Sequence, residues 1–286
     1  MRVLKAKDLP KQLKDLDLNM LKRSLLLINI FLLLLLSGCS SRAYEYFEKN
    51  GNPETKAIIG ISGGKDSSVV AALCCAALGK ERVIGVMMPN GIQPDISDSQ
   101  KIVDHLGIPH ITININNAYT GLTEEVKAQM NLDALSPQYL TNTPARLRMT
   151  TLYGIGAIIG NARVVNTCNR SEDVQGYSTH YGDSAGDFAP VAKLTTEEVV
   201  AMGDYLGLPY DLTHKAPSDG MCGKTDEDNL GWTYHEINQV IRLNEVGEHY
   251  EQIVRRYKFM QFKLHAVQLP AFVPGLPDYF LEEFGI

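Results

Sequence analysis

From residue 43 onward, short apolar runs alternate with amphipathic ones. Lys56–Ile61 is an apolar run of strand length, and Ser67–Leu78, rich in Ala, Val and Leu, reads as a helix ended by Gly79. Arg82–Met88 repeats the strand pattern and is closed by Pro89. Asp95–Leu106 places Ile96, Ile102, Val103 and Leu106 at helical spacing before Gly107 and Pro109, and His110–Ile115 is a third strand. The βαβαβ order predicts an α/β fold, a doubly wound parallel sheet with helices on both faces. Right-handed crossovers gather the loops after the strands at one edge, where ligands bind in such sheets.

The second half is less regular. Asn116–Leu140 reads as a loop with a short helix, and Thr143–Gly160 as a helix with Pro144 in its first turn. Val164–Asn166 is a short buried strand, followed by the polar, Gly-rich stretch Cys168–Asp187. A helix over Thr195–Leu206 has a start signal in Thr195 or Thr196 with Glu198 nearby, and stops at Gly207-Leu208-Pro209. Asp211–Gly231 is loop-like, and two helices, around Tyr234–Asn244 and Glu248–Tyr257, precede a Pro-containing tail.

Charge separates the first 42 residues from the rest. They hold eight Lys/Arg and three Asp, net +5, while the remainder carries −11 of the overall −6. That balance leaves no basic footprint for nucleic acid. Lys22-Arg23 precede the apolar run Leu25–Leu36, broken only by Asn29, and Leu36-Ser37-Gly38-Cys39 follows. The run is too short to span a bilayer, which takes about 20 residues. A basic flank, a short apolar run and a cysteine resemble a lipoprotein signal with Cys39 as the lipidated residue. Two other readings stand beside it: an extension foreign to an enzyme that begins near residue 43, or an ordinary buried helix. The five cysteines (39, 74, 75, 168 and 222) make no C-x-x-C pair and no zinc spacing. The chemistry of the main body therefore reads as cytosolic, with membrane contact only if Cys39 is lipidated.

Gly60-Ile61-Ser62-Gly63-Gly64-Lys65-Asp66-Ser67 lies between the first strand and its helix. Glycines there allow a phosphate to approach the backbone, and the helix start offers free N–H groups. Ser62 and Ser67 add hydroxyls, and Asp66 can hold a metal ion on phosphate oxygens. The string is not a Walker loop, because Gly64-Lys65 is followed by aspartate; Gly223-Lys224-Thr225 fails as well, with Ser218 in place of the first glycine. Ser-Gly-Gly-x-Asp-Ser at a strand–helix junction resembles the phosphate loop of the N-type ATP pyrophosphatases, whose fold is adenine nucleotide alpha-hydrolase-like. These enzymes cleave ATP between its α and β phosphates and transfer AMP.

Further blocks narrow the resemblance: Asn142–Met149, Asn166–Asp173, Gly176–Asp187 and Lys224–Gly231. With the phosphate loop, they make residues 43 to about 265 similar to the ammonia-dependent NAD synthases. The resemblance implies ATP contacts at Gly60–Ser67, Thr167 and Ser218, and Mg²⁺ at Asp66 and Glu172. For deamido-NAD it implies Arg146, His180, Asp187 and Lys263. Arg146 and Arg148, two apart on a helix, face different ways, so one can serve substrate and the other structure. His180 and Thr196 depart from the family, which commonly has basic residues at those positions.

The reaction implied joins ATP, deamido-NAD and ammonia through an adenylated carboxylate, releasing pyrophosphate and AMP, with Asp183 or Asp187 helping to deprotonate ammonium. A homodimer is implied too. A tRNA-thiolation enzyme of the same superfamily is the nearest rival, although paired reactive cysteines and a basic face are missing from the sequence. A lipid-anchored, catalytically silent nucleotide-binding protein is the other.

Overall fold

The computed structural model describes residues 18–215 and 225–263. Helix α1 (Leu18–Lys49) leads to strand β1 (Lys56–Gly60), helix α2 (Lys65–Leu78), a 3-10 turn, strand β2 (Val83–Met87), helix α3 (Ile96–Leu106) and strand β3 (His110–Thr112). Helices α4 (Asn116–Met130) and α5 (Pro137–Ile159) then precede strand β4 (Ala162–Val164) and helices α6 (Arg170–Gln175), α7 (Thr196–Tyr205) and α8 (Tyr210–Thr213). Helices α9 (Asp226–Leu230), α10 (Tyr234–Leu243) and α11 (Tyr250–Met260) complete the described chain, with a last 3-10 turn over Gln261–Lys263.

All strand pairs are parallel, in the order β3-β2-β1-β4. The chain moves outward from β1 to β3, then returns to lay β4 on the other side of β1. That reversal opens a crevice beyond the carboxyl ends of β1 and β4. Alternation along β1 sorts its side chains. Ala57 and Ile59 enter one core with Val69 and Leu73 of α2, Ile102 of α3 and Met202 of α7. Ile58 enters the opposite core with Val86, Val164 and the α5 residues Met149, Leu152 and Ile155. Helices therefore cover both faces, as the strand pattern predicts. A third cluster, Val174, Leu230, Tyr234, Ile237 and Ile253, joins α6, α9, α10 and α11.

Three expectations change. The stretch after β3 is no loop: α4 runs for 15 residues. None of its residues is buried, so no apolar stripe announces it. Helix α5 starts earlier than its sequence pattern, at Pro137, with Ser136 accepting from the Tyr139 N–H. Pro144 is consequently an interior, buried proline and Pro137 is the first-turn one. Within 211–231, the described part includes the short helices α8 and α9. Strand β3 is an edge of three exposed residues, and β4 ends before Val165, which bridges to Phe188.

The apolar N-terminal run belongs to a single helix that passes residue 42 without a break. Leu32 is buried, Leu35, Leu36 and Cys39 pack against the larger core, and Ala43 and Phe47 are fully buried. No helix among the described residues is long and apolar enough to cross a membrane. Removing residues 1–42 should lower stability by about 2–3 kcal/mol, since a fully buried leucine contributes about 1.5–3 kcal/mol and most of these are partly exposed. Melting of residues 43–286 beside the full chain checks this: equal midpoints would show that the packing contributes nothing.

Candidate active site

The phosphate loop starts where β1 ends. The Ile61 N–H still donates to Val86 O, after which the chain turns through Ser62, Gly63 and Gly64 into α2. The Gly63 turn has φ +80°, and a Cβ there would lie 2.7 Å from Asp98 Cβ and Ser99 N. Only glycine lets the loop lie against the start of α3. Ser62 Oγ and Ser67 Oγ are 3.0 Å apart, and the Gly64 N–H donates to Ser62 Oγ. No side chain caps α2 at Gly64, so its dipole end faces the crevice.

On the other side of the crevice, α6 begins with a capping box. Asn169 Oδ1 accepts from the N–H groups of Ser171 and Glu172, and Glu172 Oε2 accepts from the Asn169 N–H at 3.0 Å. The Asn169 side-chain amide also reaches across the crevice, where its Nδ2 donates to Asp66 Oδ1 at 2.9 Å. One asparagine thus fixes both carboxylates, Asp66 after β1 and Glu172 after β4. Lys65 Nζ holds the other Asp66 oxygen at 2.8 Å and lies 5.8 Å from the centre of the Tyr234 ring. Burial and the neighbouring Asp66 carboxylate push the Glu172 carboxyl well above its usual range, against the pull of Lys65. Asp226, also buried, accepts from Tyr234 Oη at 3.3 Å. Hard oxygen donors of this kind suit a divalent cation such as Mg²⁺. Among the described residues, no three His, Cys, Asp or Glu are arranged to hold a metal alone.

These groups open into a cavity of about 920 Å³. Gly60, Ile61, Ser62, Gly64, Lys65, Asp66, Ser67, Thr167, Glu172, Asp183 and Lys263 all line it, while Gly63 forms the turn behind them. Asp183 accepts from the Thr179 N–H, and burial raises its carboxyl. Lys263 donates to the carbonyls of Gly176 and Ser178 at 2.8 Å each, and burial lowers its ammonium. Asn166 ties the far wall together, donating to the carbonyls of Asp183 and Ala185.

Other residues singled out in the sequence lie elsewhere. Arg146 donates to His180 O at 3.1 Å, outside the lining. His180 lies outside it too, tilted at 55° against Tyr181 with 3.8 Å between ring centres. Asp187 Oδ1 accepts from Tyr153 Oη and its Oδ2 from the Val164 N–H, so this carboxylate secures the end of β4. Thr196 is buried, and its hydroxyl donates to Asn169 Oδ1 at 3.3 Å. Ser218 lies outside the described residues. Of the two arginines, Arg148 is the one lining the cavity, with its Nε on Met88 O. Asn169 and Asp226 fall within the blocks Asn166–Asp173 and Lys224–Gly231, but neither they nor Tyr234 were given a role from the sequence. Only Asn169 carried a signal there, as the start of an Asn-x-x-Glu capping box.

The family model described as NAD synthase matches residues 41–269. A protein of Methanococcoides burtonii named NH(3)-dependent NAD(+) synthetase is 40% identical over 200 residues, covering 69% of this chain and 74% of that one. Among solved structures, an NMN synthetase from Francisella tularensis superposes with a TM-score of 0.71 at 30% identity, over 84% of this chain and 99% of its own. The NH3-dependent NAD synthetase of Campylobacter jejuni gives 0.67 at 26%, over 85% and 98%. With most of its length matched by the model, and with loop, carboxylates and cavity in place, the chain belongs to the NAD synthase family.

Proposed function

We propose that this ligase forms the amide of NAD from deamido-NAD, ATP and ammonia, working as a magnesium-dependent homodimer in the cytosol. The observation that carries the reading is the meeting of the phosphate loop with Asp66 and Glu172 in one cavity. A carboxylate oxygen attacks the α-phosphorus of ATP and pyrophosphate leaves. Ammonia then attacks the acyl carbon of the adenylate, AMP departs and the amide nitrogen loses a proton. Asp66 and Glu172 would hold Mg²⁺, which supplies charge neutralisation on the phosphate oxygens when bound. The open N–H groups of the loop and Arg148 receive phosphate charge, and Asp183 is placed to take a proton from ammonium.

Several features support the finer points. Leu122, Met130, Tyr153 and Ile158 are exposed on α4 and α5, and a second copy would cover apolar side chains there. Tyr153 is also the partner of Asp187, which puts that substrate candidate beside this surface. The ATP requirement favours the cytosol. Cleavage ahead of Cys39 would remove Leu32, Leu35 and Leu36 from the core, so we read the packed part of α1 as belonging to the catalytic body.

The test uses the purified full chain with deamido-NAD, Mg·ATP and ammonium. NAD, AMP and pyrophosphate are expected in equal amounts. Nicotinate mononucleotide runs in parallel, because it offers the same carboxylate and the Francisella relative is named for making NMN. Absence of amide and pyrophosphate with both acceptors would overturn the reading.

A further inference from the structure

The ammonium of Lys65 is 6% exposed, on the first residue of α2, among three carboxylates. It contacts Asp66 directly, and Glu172 and Asp226 lie within electrostatic reach. Buried charges of one sign need a partner of the other, and no other lysine or arginine is bonded to Asp66 or Glu172 among the described residues. Lys65 therefore occupies the electrostatic position that a divalent ion would take. Its side chain is a flexible stem with a compact charge, able to move where a guanidinium fork would be fixed. From the same position that charge also lies over the Tyr234 ring, 5.8 Å from its centre.

We propose that Lys65 is an exchangeable counter-ion: it holds Asp66 and its neighbouring carboxylates together before substrate binds, and is displaced by the divalent ion to reach the triphosphate. This rests on the Mg·ATP reading and adds an order of events to it. The residue then has two opposite effects. It competes with the metal in the empty site and favours the nucleotide in the filled one. A lysine with a purely structural role would not give effects of opposite sign.

The experiment compares the full chain with Lys65→Met and Lys65→Arg. Binding of Mn²⁺ alone is followed by electron paramagnetic resonance, and binding of α,β-methylene-ATP with Mg²⁺ by calorimetry. Lys65→Met is expected to bind Mn²⁺ about tenfold more tightly without nucleotide, as a close positive charge is lost. The same variant should bind the nucleotide about tenfold more weakly, and Lys65→Arg should resemble the parent for Mn²⁺. Should Lys65→Met not fold, the parent's buried lysine ammonium is followed by ¹⁵N resonance, and Mg²⁺ alone is expected to shift it. Mn²⁺ binding no tighter in a folded Lys65→Met, or a lysine signal indifferent to Mg²⁺, overturns the proposal while leaving Mg·ATP binding intact. A parent that binds neither Mn²⁺ nor nucleotide overturns the functional reading along with it.

Discussion

Asp66→Asn is expected to slow formation of the adenylate by about 10³-fold, a rise of about 4 kcal/mol in its barrier. The two carboxylate oxygens of Asp66 have separate partners, Asn169 Nδ2 and Lys65 Nζ. Asparagine keeps the size but loses the charge, so it can neither neutralise Lys65 nor hold a cation on the phosphates. Asp66→Ala adds a second cost: the lysine stays buried without its partner, which destabilises proteins by about 3–5 kcal/mol in comparable cases. Exchange of labelled pyrophosphate into ATP, dependent on deamido-NAD, isolates the first half-reaction. Circular dichroism separates lost chemistry from lost fold. A folded Asp66→Asn with exchange within tenfold of the parent would remove Asp66 from the mechanism.

Gly63→Ala should fail for a different reason. The new methyl group would meet the main chain of Asp98 and Ser99 at 2.7–2.8 Å, and backbone cannot swing aside as a flexible side chain does. The positive φ adds about 1–2 kcal/mol for any L-residue. Together these should destabilise by about 3 kcal/mol, a fall of about 6–12 °C in melting midpoint for a chain of this size. A loop displaced by about 1 Å also misaligns the phosphates, and adenylation should fall about 10²-fold. Gly64→Ala is the control for stability. Its methyl would meet only Ser62 Oγ, at an ordinary 3.5 Å, and its φ is −87°. Equal melting of the two variants would show that the clash is relieved by movement of α3.

What could be read from the sequence was whatever leaves a local periodicity or a fixed spacing. β1 and β2 are buried on both faces and read as short continuous apolar runs, α2 and α3 carry apolar residues at core positions, and the phosphate loop is contiguous. Helix α4 buries nothing and left no such mark. The start of α5 was hidden because none of its residues before Pro144 is buried and Pro144 has the character of a first-turn residue. Within the site, the resemblance pairs Asp66 with Glu172, but their link through Asn169, which bonds to Asp66 across 103 residues, is a product of strand order. The choice between Arg146 and Arg148 turns on which side of α5 faces the crevice. Helical spacing shows that the two point apart, and only packing decides which points in. Asp226 and Tyr234 reach the site through the packing of the third cluster of helices, which the block Lys224–Gly231 does not reveal.

Asn169 does more than align two carboxylates. Helix α6 has only six residues, far below the length at which a helix persists alone in water, and its first turn depends on the Asn169–Glu172 box. The same amide that starts this helix reaches across to Asp66. Fraying of one helical turn would therefore take apart the clamp proposed for the triphosphate, with neither Asp66 nor Glu172 altered. Local opening of α6 becomes a quantity that selection can tune: changes in its packing against α10 and α11 would set how often the clamp is assembled, and hence the fraction of molecules ready to act at any moment.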